Sequence, residues 1–425
     1  MSEVAQAPHS SPDGHIPQLR FPEFNVSWNE YKLGSITDVV DSLHTTPKDY
    51  VSSGFPMIRV VDVSNIELDL NKCLNVSEET YRQFTKKYQP KVGDVVLSRV
   101  GTCGASIMLR TKDNVCLGQN TVLLHPKINK DFYHILVKSN IFQVQVSRRV
   151  VGSTQKTLSL KDLKLFKLNI PAKPEQQKIA EFLTAVDNKI EQLSKKQELL
   201  SEYKKGLMQK IFSQAIRFKA DDGSDFSDWE QVKLATLSKL VTKQTGYDYS
   251  STIKPSLETS KDDSNIPFVQ NKDFNSTSIN LNTDFYVPVS VQKKYPRITL
   301  DEKCLLITIS GNIGNVGVYN KQEKAFIGGA VCVAKFKDKD NIDFVKYYLT
   351  TDIGQKMMLR EVKASSHQNI TVEGIRNFRI MLPYLEEQKK IVVFLSIIDN
   401  KIEQAGKQLI ESKQFKKALL QQMFV

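Results

Sequence analysis

The sequence predicts an α+β fold. Two mixed α/β globular parts are joined by two long antiparallel coiled-coil helices, and the whole is an internal two-fold repeat. Three observations predict it. The hexapeptide 187–192 (Asp-Asn-Lys-Ile-Glu-Gln) recurs unchanged at 399–404. Around each copy, apolar residues alternate at four- and three-residue spacing, the pattern of a coiled-coil seam. Short apolar runs and amphipathic stretches fill the rest of each half.

The repeat extends beyond the hexapeptide. Pro171, Glu175, Gln176, Lys178 and Phe182 match Pro383, Glu387, Gln388, Lys390 and Phe394. Lys204, Lys205, Gln209 and Phe212 match Lys416, Lys417, Gln421 and Phe424. Each half opens with a basic-aromatic pair, Arg20-Phe21 or Arg217-Phe218, followed by one of the two tryptophans, Trp28 or Trp229. A fixed internal period means one architecture used twice. It divides the chain into a loose polar tail (1–18), a first globular part (19–170), a first long helix (171–214), a second globular part (215–383) and a second long helix (384–425).

The first seam reads Ile179, Leu183, Val186, Ile190, Leu193, Gln197, Leu200, Lys204, Leu207, Ile211. The second reads Ile391, Leu395, Ile398, Ile402, Ala405, Leu409, Ser412, Lys416, Leu419, Met423. At 1.5 Å per residue each seam is roughly 50 Å long. Parallel, in-register pairing would set Lys204 against Lys416, a like-charge clash, so antiparallel pairing is expected. Pro171, Pro174 and Pro383 mark the entries to the helices. The Asp187-Asn188-Lys189 fragment reads as exposed charge on the coiled-coil surface.

In the globular parts, 56–61, 94–98 and 304–309 read as strands, and 131–148 and 343–359 as amphipathic helices. A glycine-bearing turn follows a strand in each half: Gly101-Thr102-Cys103-Gly104 and Gly311-Asn312-Ile313-Gly314, with Gly118 and Gly328 at matching distances. Such turns bring backbone close to something. They have neither the order nor the ending of nucleotide-binding glycine loops, so a plain tight turn is the simpler reading. Late in each half sits a polar loop, Gly152 to Lys156 and Ser365 to Asn369. Its side chains are of the kind that bond base edges and phosphates; an ordinary solvated loop is the alternative. The candidate nucleic-acid contacts are Arg99, Thr102, Arg148, Arg149, Ser153, Thr154, Gln155 and Lys156 in the first half. In the second they are Asn312, Asn315, Arg360, Lys363, Ser366, His367, Gln368 and Asn369.

A formal net charge of +12 over 425 residues favours a polyanionic partner, nucleic acid before anionic membrane. No apolar run has the length of a membrane helix, and the polar N-terminus does not read as a secretory signal. The five cysteines, Cys73, Cys103, Cys116, Cys304 and Cys332, form no Cys-x-x-Cys pair. They fit free thiols in a reducing cytoplasm. There is no adjacent proline pair for an adenine methyltransferase motif, no Walker motif, no nuclease core and no metal or triad spacing among the six histidines. These gaps argue against a self-contained methyltransferase or nuclease. A coiled-coil scaffold without any DNA role is the other alternative.

The 171–179 stretch Pro-Ala-Lys-Pro-Glu-Gln-Gln-Lys-Ile running into the 187–192 helix, its copy at 383–404, the Trp28 and Trp229 openings and the paired glycine turns resemble the specificity (S) subunit of type I restriction-modification systems. Thr46-Pro47 with Gly54-Phe55-Pro56 also resembles a family segment. The second half keeps only Ile266-Pro267-Phe268 of it, so the early loops are expected to differ in shape. The resemblance implies two target-recognition domains, each reading one half of a split asymmetric site in double-stranded DNA, with the helices as a ruler between them. It implies two modification subunits that bring S-adenosylmethionine, and restriction subunits that bring ATP and Mg. No catalytic, cofactor or metal residue falls on this chain. A ruler of roughly 50 Å exceeds the about 34–36 Å of one DNA turn.

Overall fold

A computed structural model describes residues 16–63, 68–151, 156–274, 279–362 and 369–425. The chain forms two compact units, one of Met1–Ser194 with Lys407–Val425, the other of Lys195–Gly406. Each long helix therefore gives its first half to one unit and its second half to the other.

The first unit is built on an antiparallel four-stranded sheet in the order Thr37–Asp41, Thr121–Pro126, Val95–Ser98, Ser106–Met108. Alternation sorts its strands between two cores, because successive side chains leave opposite faces. Val95, Leu97, Val122 and Leu124 pack with Phe132, Leu136, Phe142 and the helix residues Ile179 and Leu183. Val96, Ile107 and Leu123 pack on the other side with Ile58 and Leu117. A smaller sheet, Leu74–Val76, Phe55–Ile58, Cys116–Leu117, includes a parallel pair. A two-stranded ribbon, Asn29–Lys32 with Lys167–Ile170, leads to the helix.

The second unit repeats this plan. Its sheet runs Ser238–Lys243, Val331–Phe336, Cys304–Thr308, Val316–Tyr319, again with one core on each face. Glu230–Lys233 pairs with Arg379–Leu382. The early segments differ, as expected. Before strand Asn265–Val269 the second unit inserts short helical turns through 246–256, and its smaller sheet gains a fourth strand, Thr299–Leu300.

Two expected helices are broken. In place of one helix over 131–148 there are Lys130–Lys138 and Asn140–Arg149; in place of 343–359 there are Asn341–Thr350 and Asp352–Arg360. The breaks lie at Ser139 and Thr351, whose hydroxyls accept from the amides of Phe142 and Gly354 at 3.5 and 3.2 Å and start a new helix. The strand expected over 56–61 stops at Ile58, and Val60–Val63 is a helical turn.

The long helices span Lys173–Phe212 and Leu385–Gln422. All the expected apolar seam residues are buried or half-buried: Ile179, Leu183, Val186, Ile190, Leu193, Leu200, Leu207, Ile211, Ile391, Leu395, Ile398, Ile402, Leu409, Leu419 and Met423. In both units the helix segments run antiparallel. Within the first unit, Lys416 meets Asp187 at 2.5 Å, while Val425 near the end of the second helix reaches back to Asn169. Within the second unit, Lys204 meets Asp399 at 2.5 Å and Gln197 lies against Gly406. The repeated aspartate thus answers the seam lysine. The 187–189 fragment is largely exposed, as expected, with the Asp187 side chain at 44%; its copy Asp399 is instead 8% exposed and also accepts from the Tyr347 hydroxyl at 2.7 Å.

The repeated openings have a physical reason as well. The Arg20 guanidinium clamps the buried Glu175 carboxylate through two bonds of 2.7 Å, and Arg217 does the same to Glu387 at 2.9 Å. Bidentate pairing ties the first turn of each long helix, where Glu175 and Glu387 sit, to the opening segment of its own half. Trp28 packs edge-on against Phe424, and Trp229 against Phe212, so each tryptophan seats the aromatic at the end of a long helix or just past it. Burying such a side chain contributes about 1.5–3 kcal/mol.

Candidate nucleic-acid interface

In each unit the glycine turn grows from the sheet strand. Gly101 and Gly104 have φ of +73° and +87°, Gly311 and Gly314 of +69° and +92°, a region that L side chains enter only with strain. A glutamine one helix away locks the turn. Gln143 donates to the Gly104 carbonyl at 3.0 Å and to Val137 at 2.8 Å. Gln355 donates to Gly314 at 2.9 Å and to Leu349 at 3.0 Å. A Cβ on either second glycine would meet that glutamine's oxygen at 2.6 or 2.8 Å.

The late polar loop returns to this turn, a juxtaposition that sequence reasoning did not foresee. In the first unit the Gly101 amide donates to the Lys156 carbonyl at 3.1 Å, and Leu158 to Arg99 at 2.9 Å. In the second, Ile370 donates to Ile309 at 2.9 Å and Asn369 bridges to Ser310. The Asn271 side-chain amide also holds the Ser310 carbonyl. The only hint was spacing: turns and loops recur at nearly the same offset in both halves.

The candidate residues fare differently. Thr102, Arg148, Lys156, Asn312, Arg360 and Asn369 are exposed around the turn and loop. Asn315 is half-buried, with its backbone N–H donating to the Thr308 hydroxyl at 2.9 Å. Arg149 lies over the Phe166 ring, 3.8 Å from the Asp162 carboxylate, so the domain already holds it. Arg99 is 8% exposed and lies 3.2 Å from Asp41, which makes it a strut under the turn rather than a free phosphate contact. Ser153, Thr154, Gln155, Lys363, Ser366, His367 and Gln368 lie outside the described residues. Burial pushes the thiols of Cys116, Cys304 and Cys332 up to about 12 and that of Cys73 to about 11. That is opposite to what a thiolate nucleophile needs. Cys103, in the turn itself, is also raised by burial.

Residues 25–201 and again 227–412 match the family model of the type I restriction modification DNA specificity domain. The chain belongs to this family. The specificity domain thus occurs twice, once in each half of the repeat. A Methanocaldococcus jannaschii chain described as the type I restriction enzyme MjaX specificity subunit is 28% identical over 427 residues, covering 96% of this chain and 93% of its own length. The MjaVIII specificity subunit of the same organism is 27% identical over 302 residues, covering 68% of this chain and 67% of its own. Two solved structures share the fold. The S subunit of a type I system from M. genitalium has a TM-score of 0.60 at 15% identity, covering 96% of this chain and 99% of that one. A chain from a study of type I complex assembly and conformational transition has a TM-score of 0.54 at 16% identity, covering 92% and 96%. As a type I specificity subunit, this chain serves recognition of a DNA sequence. The paired platforms of turn and loop are where its two domains present polar side chains.

Proposed function

We propose that this specificity subunit reads a split, asymmetric site in double-stranded DNA, one half with each turn-and-loop platform. The observation that carries this reading is one backbone device occurring twice with different side chains. Thr102 and Thr157 stand where the second unit has Asn312 and Asn369, and the exposed Lys156 directly precedes Thr157 in the first unit. Lysine donors suit guanine acceptors and phosphates, and asparagine suits the adenine edge, so the platforms are matched to different half-sites. Exposed Arg148 and Arg360 would contribute phosphate contacts, which supply affinity without sequence choice. The subunit itself performs no chemistry. It would direct two modification (methyltransferase) subunits, which bind S-adenosylmethionine, and restriction (translocase and nuclease) subunits, which bind ATP and Mg. Its place is the cytoplasm, beside the DNA it surveys.

Exchange of residues 19–170 for the matching segment of another specificity subunit tests this. Methylome sequencing of a host carrying the chimera and its modification subunit should show one half-site changed and the other kept. A change in both halves would contradict separate reading. Methylation or cleavage by the isolated chain would overturn the non-catalytic role.

A further inference from the structure

The second unit holds a groove of about 770 Å³ between the second half of the first long helix and the Gly311–Gly314 turn. Its charged lining is Lys204, Lys205, Lys346 and Lys356 against Asp352. Asp399, behind the groove, takes Lys204 at 2.5 Å and lies 4.0 Å from Lys346, so one carboxylate serves two lysines. Lys205 and Lys356 are exposed and have no ion pair among the described residues. We infer that this groove is a track for a DNA phosphate backbone, leading the duplex from the reading turn toward the helix pair.

The inference rests on the proposed recognition function and extends it to a surface that reads no bases. The first unit supplies an independent comparison. At the matching place Lys416 pairs with Asp187 at 2.5 Å, and Lys138 and His134 crowd beside it. Burial first, then the charges of Lys138, Arg110 and Lys416, push His134 down to about 3. The buried pair Lys204–Asp399 recurs as Lys416–Asp187, whereas the groups around it are only partly kept: Lys205 has Lys417 at its repeat position, Lys346 the neutral His134, Lys356 Val144, and Thr350 Lys138. A structural network keeps its residues, as the Arg20–Glu175 and Arg217–Glu387 clamps do. Lysine suits a polyanion track, being a flexible point charge that accepts phosphates in many geometries.

The test uses the full chain co-purified with its modification subunits. Lys205→Ala with Lys356→Ala removes two exposed cations and should leave thermal melting unchanged. Affinity for a target duplex and for a scrambled duplex should fall in parallel. The slope of log affinity against log salt should become shallower by about 0.9 per contact, so the loss of affinity between about 50 and 200 mM salt shrinks about 12-fold. The methylated sequence should not change. The charge-reversed pair Lys205→Glu, Lys356→Glu should weaken binding further. An unchanged salt slope would overturn the inference. So would a complex that loses its modification subunits while DNA affinity stays intact, which would make the groove a protein-docking surface. If wild-type binding showed no sequence preference but the variants still lost affinity in parallel, the track would stand and the recognition reading alone would fall.

Discussion

Replacing Asp399 with alanine should cost the second unit far more than replacing its repeat counterpart Asp187 costs the first, although both sit in the same hexapeptide. The Asp399 side chain is 12% exposed and its partner Lys204 19%. Lys346 stands 4.0 Å away with 11% exposure, and the Tyr347 hydroxyl donates to Asp399 at 2.7 Å. Removing the carboxylate strands two mostly buried ammonium groups and one hydroxyl, a loss of about 3–5 kcal/mol. Asp187 is 44% exposed and Lys416 22%, so that pair is largely solvated and worth about 0–1 kcal/mol. At about 2–4 °C per kcal/mol for a unit of this size, Asp399→Ala should lower Tm by about 6–20 °C and Asp187→Ala by less than about 4 °C. Scanning calorimetry of the full chain, supported by urea titration, measures both. Adding Lys204→Met to Asp399→Ala removes one stranded cation and should recover part of the loss. Equal shifts for the two single variants, or no recovery in the double, would refute the assignment of a buried charge network to the second unit alone.

Three further outcomes are expected. Replacing Gln155 and Lys156 together with alanine should weaken or relax one half-site, and replacing Gln368 and Asn369 the other, by about 1–3 kcal/mol per lost bidentate contact; normal methylomes for both would make the loops mere solvated turns. A fragment ending near Gln214 retains one platform and one full seam, and a second copy can offer Asp187 to Lys204 where Asp399 now stands. Light scattering should find it dimeric, and with the modification subunit it should methylate a palindrome of the first half-site; a monomer, or a dimer marking an asymmetric site, would sink the pseudo-symmetry. His134 is held near pKa 3 against an ordinary 6.5, so the unfolded chain binds the extra proton over that window. Stability of the first unit should therefore fall on acidification from about pH 6.5 toward about pH 3, by up to about 1.4 kcal/mol per pH unit from this group. His134→Gln should flatten that part of the urea-denaturation profile, and an unaltered profile would show that His134 is not buried in its neutral form.

The repeat, the two seams and the glycine turns were legible because each is a local signal. A 3.5-residue apolar period declares a helix pair whatever surrounds it, and a glycine needing positive φ marks a turn wherever it lies. The antiparallel direction was legible through one clash, Lys204 against Lys416, and the structure supplies the other half of the argument in Asp187 and Asp399. The helix breaks at Ser139 and Thr351 were not legible, since the apolar residues on either side continue without a proline or a change of composition.

The candidate interface divides along the same line. Sequence alone determined that two related halves carry divergent polar loops on a shared helical frame, because residue type and chain spacing suffice for that. Tertiary structure decided which side chains remain available. Arg99 and Arg149 look identical to Arg148 in the sequence, yet Asp41, Asp162 and Phe166 take them up. Only the fold brings the Gly101 turn to Lys156, or sets Asp399 between two lysines, because those partners are distant in the chain and no local propensity records which groups meet across a packed core.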